Sequence, residues 1–129
     1  PGYDKVRLPF EQLETIIMQH KKDWVAALEN QKAVYLITDT NNGKLYVGSA
    51  TSDYGMLLQR WSNYIENGHG GKIELKALVE KEGFDYVRKY FQYSILENYN
   101  AKVDDHVILE RESWWKDTLQ SRKHGYNSN

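Results

Sequence analysis

AVYLITDTNNGKLYVGSA, Ala33–Ala50, decides the fold. Two runs rich in β-branched and aromatic residues, Ala33–Thr38 and Lys44–Ser49, flank the polar DTNNG, which is the composition of a β-hairpin. A two-residue turn at Asn42-Gly43 predicts a register in which Asp39 faces Tyr46 and Ile37 faces Gly48. Tyr35 then lies on the same face as Tyr46, a step farther from the turn. Strand tyrosines usually just cover a core, and periodicity alone favours that reading of the pair. Gly48 points further, because a glycine inside a strand weakens it and often marks the close approach of a ligand or another backbone.

Outward from the hairpin, helical spacing alternates with one more strand. Before it, Leu13, Ile16, Ile17, Trp24, Ala27 and Leu28 recur at helical intervals from Phe10 to about Glu29, with a break near Lys22 and Asp23; His20 reads as a packed or rim residue. After it, GMLLQRWSNYIEN (Gly55–Asn67) gathers Leu57, Leu58, Trp61, Tyr64 and Ile65 on one helical face, and the segment after GHGG gathers Leu75, Leu78 and Val79. KYFQYSILE (Lys89–Glu97) alternates Phe91, Tyr93 and Ile95 with Gln92, Ser94 and Leu96, a third strand. No βαβ alternation and no repeat is present, so the class is α+β: a small central antiparallel or mixed three-stranded sheet flanked by helices. Residues 1–31 read as an N-terminal helical extension and 32–129 as the main domain.

VILERESWWKDTL (Val107–Leu119) comes next, with Asp104 and Asp105 placed to cap its start. At about 100° per residue, Trp115 and Leu119 fall within roughly 20° of Ile108, and Glu112 about 40° away, inside the apolar stripe. Glu110 falls about 200° round, on the far side. A carboxylate sharing a stripe with Ile, Trp and Leu loses hydration on folding, a cost usually met by a cation or by several hydrogen bonds. An ion pair with Lys116, one turn on, is the plain alternative and would stabilise a solvated helix modestly.

Composition narrows the class. The 129 residues are one domain's worth of chain with enough apolar and aromatic side chains for a core. Nothing approaches the roughly 18 apolar residues of a membrane span, and the start lacks the order of a signal peptide. The absence of cysteine excludes disulfides, thiolate metal sites and a cysteine nucleophile, and with the lack of a leader makes the cytoplasm the expected compartment. A net charge of −1 does not announce a nucleic-acid binder, so any basic surface is local. The proline at position 1 marks a processed chain or a piece of a longer one.

The same residues, in order, resemble the GIY-YIG nucleases. AVY…LYVGSA is similar to the family's two name-giving motifs, with Tyr35 and Tyr46 as their tyrosines. LLQRW with Arg60, GHGGK with His69, FQYSILE as the third strand, RESWW with Glu112 and GYN with Asn127 succeed them in family order. The resemblance runs from about Ala33 to Asn127 and is nearest to the catalytic domains of phage intron homing endonucleases and restriction-type enzymes. Two departures stand out: Ala33 replaces the usual glycine, and Tyr64 occupies a position where several relatives carry histidine.

The resemblance implies a DNA endonuclease that hydrolyses phosphodiesters with one Mg²⁺ or Mn²⁺ held by Glu112. One or two carboxylates suffice for such a cation when phosphate and waters complete its shell. Arg60, on the flank of its helix, has the fork that suits phosphate oxygens. Tyr35 is expected as the base or water-positioning group with Tyr46 as its hydrogen-bonding neighbour. His69 is expected to assist proton transfer or touch phosphate, and Asn127 to fix geometry. Gly48, Tyr64, Gly70 and Lys72 are the expected substrate contacts, the Gly70 and Gly71 amides as anion donors. Specificity is left to a separate DNA-binding domain or a second subunit, with no membrane involved. Two rivals remain: a catalytically silent module binding nucleic acid through aromatic rings and Lys72, Lys76, Arg111, Lys116, Arg122 and Lys123, and a protein- or carbohydrate-binding domain using Tyr and Trp.

Overall fold

The sheet has four strands, β1 (Arg7–Pro9), β2 (Gln31–Asp39), β3 (Leu45–Ala50) and β4 (Phe91–Asn100), in the order β1-β4-β2-β3 with every neighbour antiparallel. These come from a computed structural model that describes residues 2–129. The expected three-stranded sheet thus gains an edge strand from the segment expected to be wholly helical. Arg7–Pro9 escapes sequence reading because three residues are too few to show alternation, and a proline is tolerated at a sheet edge.

The hairpin register differs from the expected one by two residues: Tyr35 faces Gly48 and Ile37 faces Tyr46. The connection is the four residues Thr40–Gly43. It is closed by Gly43 N–H to the Asp39 carbonyl at 2.8 Å, by Asp39 N–H to the Lys44 carbonyl at 2.9 Å, and by Asn41 N–H to Asp39 Oδ1 at 3.0 Å. Gly43 adopts φ +79°, a conformation glycine takes without steric cost. The Asp39 carboxylate, wholly buried, also accepts the phenols of Tyr126 (2.6 Å) and Tyr86 (2.8 Å). A two-residue slip keeps every side chain on its face, so the shared face of Tyr35 and Tyr46 survives the change.

Helices cover both faces. On one side lie α1 (Phe10–Met18), α2 (Lys22–Glu29), α3 (Met56–Asn67), α4 (Ile73–Glu82) and α5 (Phe84–Tyr90). Phe10, Leu13, Leu28, Leu57, Trp61, Tyr64, Leu75 and Val87 from them join Ala33, Tyr35, Ile37, Tyr46, Tyr93 and Ile95 in one core. α1 and α2 are separate helices, as the break in periodicity predicts, and His20 stands exposed between them. The other face carries α6 (Asp105–Leu119), whose Ile108, Trp115 and Leu119 pack on Val34, Val47, Leu36 and Leu96. Asp104 caps α6 through the His106 amide (2.8 Å), whereas Asp105 bonds Lys32 (2.9 Å) and the Ser52 hydroxyl (2.6 Å).

After α7 (Ser121–His124) the chain returns along β3. Tyr126 N–H donates to the Leu45 carbonyl (2.9 Å), and the Asn127 amide both accepts from Val47 N–H (2.8 Å) and donates to its carbonyl (2.9 Å). The outer edge of the sheet is thereby covered.

Candidate active site

The two carboxylates of α6 point to opposite environments, as the helix phase predicts: Glu112 is 17% exposed and Glu110 is 68% exposed. Glu112 opens onto a pocket of about 290 Å³ at the β3 edge, which Tyr46, Gly71, Lys72, Ile73, Lys116 and Tyr126 also line. Tyr46 reaches it from the sheet face opposite α6, and the pocket lies where the layers meet. Lys116 is not part of a solvated pair: its side chain is 10% exposed, with Nζ 3.8 Å from Glu112 Oε2 and 3.1 Å from the Asn129 carbonyl.

Three phenols converge behind this pocket. Tyr35 and Tyr64 hydroxyls are 2.6 Å apart, and the ring of Tyr64 stands edge-on to those of Tyr35 (6.0 Å) and Tyr46 (6.3 Å). Burial pushes all three phenols above their ordinary range; beside it, the charge of Arg60 pulls Tyr35 and Tyr46 back down, and that of Glu112 pushes them up. Tyr35 is wholly enclosed, bonded to Tyr64, and does not line the pocket, so it is not placed to be the base expected of it. Of the three, Tyr46 is the one that lines the pocket. The partner that comes close to Gly48 is likewise internal: a Cβ there would lie 2.3 Å from Tyr35 Cζ, so the space is filled by that ring and not by a ligand.

Arg60, on α3, pairs through Nη2 with Asp53 of the preceding loop, while its Nε is buried without a hydrogen-bond partner. Burial lowers the ordinary pKa of Lys72, and the neighbouring charges of Arg60 and Lys116 lower it further; Glu112 opposes them. Lys72 and Lys116 share the pocket with the one carboxylate, and Arg60 does not line it. His69 does not line the pocket. Its Nδ1 accepts the Gly71 amide at 2.8 Å, which leaves the proton of the neutral ring on Nε2. The Gly70 amide donates to Asn67 Oδ1 at 2.8 Å, so both amides expected to bind an anion are already engaged, and Gly70 packs on the Tyr64 ring. Asn127 holds the β3 backbone at Val47, next to Tyr46.

Comparison with known proteins agrees with this geometry. The family model of the GIY-YIG catalytic domain matches residues 31–127. The chain belongs to the GIY-YIG family. Intron-associated endonuclease 1 of Enterobacteria phage T4 is 35% identical over 97 residues, 75% of this chain and 36% of that protein, so the chain spans about a third of its relative. The catalytic domain of homing endonuclease I-TevI superimposes with a TM-score of 0.58 at 32% identity, covering 74% of this chain and 96% of that one. A mutant of the catalytic domain of intron endonuclease I-TevI gives 0.57 at 31%, covering 77% and 94%.

Within this GIY-YIG domain no cluster of three His, Cys, Asp or Glu side chains exists among the described residues. A cation here has one sheltered carboxylate and a pocket roomy enough for waters and a phosphate oxygen, a donor set that fits Mg²⁺ or Mn²⁺ shared with substrate. Sequence reasoning missed Tyr126 as a wall of the pocket and Asp53 as the partner of Arg60. The first was hidden by the long-range return of the tail. The second was visible only as an acid seven residues before an arginine. No described helix is long and apolar enough to cross a membrane.

Proposed function

We propose that this GIY-YIG domain hydrolyses DNA phosphodiesters at the Glu112 pocket with one divalent cation. The reading is carried by the convergence of Tyr46, Lys72 and Glu112 on one pocket within reach of the Arg60 charge, in a chain of this family. Bound on the Glu112 carboxylate, the cation would polarise a phosphoryl oxygen and acidify its water. Arg60 and Lys72 hold and neutralise the phosphate, whose charge grows in the transition state. Tyr46 places the attacking water with its Oη. Its phenol is pushed up by burial and so stays protonated in the free protein, with the Tyr64 hydroxyl and then the Arg60 charge pulling it back down, and it orients the water as a neutral hydrogen-bonding phenol. Tyr35 and Tyr64 keep the Tyr46 ring in place, and Tyr64 serves there as a spacer rather than as a proton acceptor, being pushed well above its ordinary range.

Specificity for a DNA site lies outside these residues, in a separate DNA-binding domain or a second subunit, consistent with a relative of which the matched residues make up 36%. The test is nicking of supercoiled plasmid in Mg²⁺ or Mn²⁺. Wild type cuts, and Glu112→Gln loses cutting while still retarding DNA in a gel. A Glu112→Gln protein that cuts at the wild-type rate refutes the site, and clean wild type that binds but never cuts favours the silent nucleic-acid-binding module.

A further inference from the structure

We propose that Lys116 is the resident counter-ion of Glu112 and makes entry of the divalent cation depend on a backbone phosphate. This rests on the reading of Glu112 as the cation's carboxylate. Lys116 stands one helical turn after Glu112, points into the same pocket, and is nine-tenths buried with its ammonium 3.8 Å from the carboxylate. Its hydrogen-bonding partner is the main-chain oxygen of Asn129, at 3.1 Å. The wheel alone would make such a pair an ornament of a solvated helix; its burial makes it a part of the site.

Charge sets the order of binding. Lys72 and Lys116 line the pocket beside the one carboxylate, while Arg60, outside the lining, is paired with Asp53, so the charged side chains of the lining are two ammoniums to one carboxylate. A divalent cation settling on Glu112 would sit about as far from the Lys116 ammonium as Glu112 does, and repulsion between a dication and an ammonium at that range weakens binding by a factor of about ten or more. A phosphodiester removes the obstacle. Its oxygens carry charge and form charge-assisted bonds to an ammonium, so phosphate competes with Glu112 for Lys116, whose ammonium stands 3.8 Å from that carboxylate. The carboxylate is then released to the cation at the moment substrate is present. Lys116 acts here through Glu112, as a positioning residue that orders the binding of phosphate before metal.

The experiment is a Mn²⁺ titration monitored by the electron paramagnetic resonance of free Mn²⁺, which reads binding without cleavage. It is run with and without a mixed-sequence duplex carrying phosphorothioate linkages to prevent turnover. Wild type is expected to bind Mn²⁺ at least tenfold more tightly with the duplex than without it. Lys116→Met is expected to bind at least tenfold more tightly than wild type when no duplex is present, and to show a duplex effect below threefold. Lys116→Arg, which keeps the charge, should behave as wild type. Lys116→Gln repeats the neutral test should methionine fail to give a cooperative melt. Neutral variants that bind Mn²⁺ within twofold of wild type without duplex overturn the counter-ion role while leaving the nuclease reading intact. Wild type that binds no Mn²⁺ even with duplex, and is no different from Glu112→Gln, overturns both.

Discussion

Replacing Gly48 with alanine tests whether the phenol cluster is a packed unit. The added Cβ would stand 2.3 Å from Tyr35 Cζ, 2.4 Å from its Oη and 2.7 Å from Cε1, where ordinary carbon contacts begin at about 3.5 Å. The ring must therefore retreat by about 1 Å or more. It has nowhere to go: Tyr35 is 1% exposed, with Trp61 edge-on at 6.2 Å and Tyr64 at 6.0 Å, and its hydroxyl is tied to that of Tyr64. Overpacking of this kind costs about 1–3 kcal/mol, and a buried phenol stripped of its partner costs about 1–3 kcal/mol more. A loss of about 3 kcal/mol is expected, which for a domain of this size lowers the melting temperature by about 10 °C. The assay is a pair of thermal melts arranged as a double-mutant cycle. In a Tyr35→Ala background the clash is gone, so Gly48→Ala should be close to neutral there. The same cost in both backgrounds, or a single variant melting within about 2 °C of wild type, would mean that the Tyr35 ring is not confined as its contacts indicate.

Three further outcomes are expected. Glu110→Ala should leave nicking within about twofold of wild type, because its side chain is two-thirds exposed on the far side of α6; a loss as deep as that of Glu112→Gln in the plasmid assay would overturn the helix phase. Hydrogen bonds from Arg111 foremost hold Glu97 at about 2 against an ordinary 4.5, so its stabilisation is complete above pH 4.5 and fades as pH falls through about 2; melts of wild type and Glu97→Gln should differ most at pH 7 and draw together as pH falls from about 4.5 toward 2. Asn127→Asp keeps the acceptor for Val47 N–H but sets a carboxylate oxygen against the Val47 carbonyl, so it should melt below Asn127→Ala at pH 7 and recover part of the difference in acid, as protonation restores a donor; a melt insensitive to pH between 7 and 4 would count against that pairing.

Parity is the most legible feature of the sequence. The hairpin loop is twice as long as Asn42-Gly43 suggests, yet Tyr35 and Tyr46 share a face because strand side chains repeat every two residues and the slip is even. The α6 wheel separates Glu112 from Glu110 for the same kind of reason, since helix phase is local and accumulates little error over four residues. Features that depend on distant chain are not legible. Arg7–Pro9 becomes a strand only because β4 offers it an edge, and Tyr126 becomes a pocket wall only because the tail folds back along β3. Gly48 does mark a close approach, but of a different body from a ligand: the missing Cβ accommodates the phenol across the strand. In the GHGG loop the obstacle is local. Asn67 stands two and three residues before the amides it takes, a side-chain-to-backbone pattern that competes for donors otherwise open to an anion.

The arrangement divides stability from chemistry across a few ångströms. Tyr35 and Tyr64 are core residues by burial and by their contacts with Trp61 and Tyr93, and the domain cannot lose them without losing packing. Glu112, Lys116, Lys72 and Arg60 stand at the rim, where two layers of helix meet the covered edge of β3, and none of them holds the sheet together. Changing these charges is therefore expected to cost folding less than changing the phenols behind them, the sheltered Lys116–Glu112 pair excepted. The physical reason is that an unpaired buried hydroxyl is costly, and here the Tyr35 and Tyr64 hydroxyls satisfy each other while the Tyr46 ring packs against that of Tyr64 at the pocket wall. Tyr46 belongs to both sets, a ring of the core that also lines the pocket. Its truncation to phenylalanine should accordingly separate them, lowering nicking far more than it lowers the melting temperature, while Tyr35→Phe should lower both together.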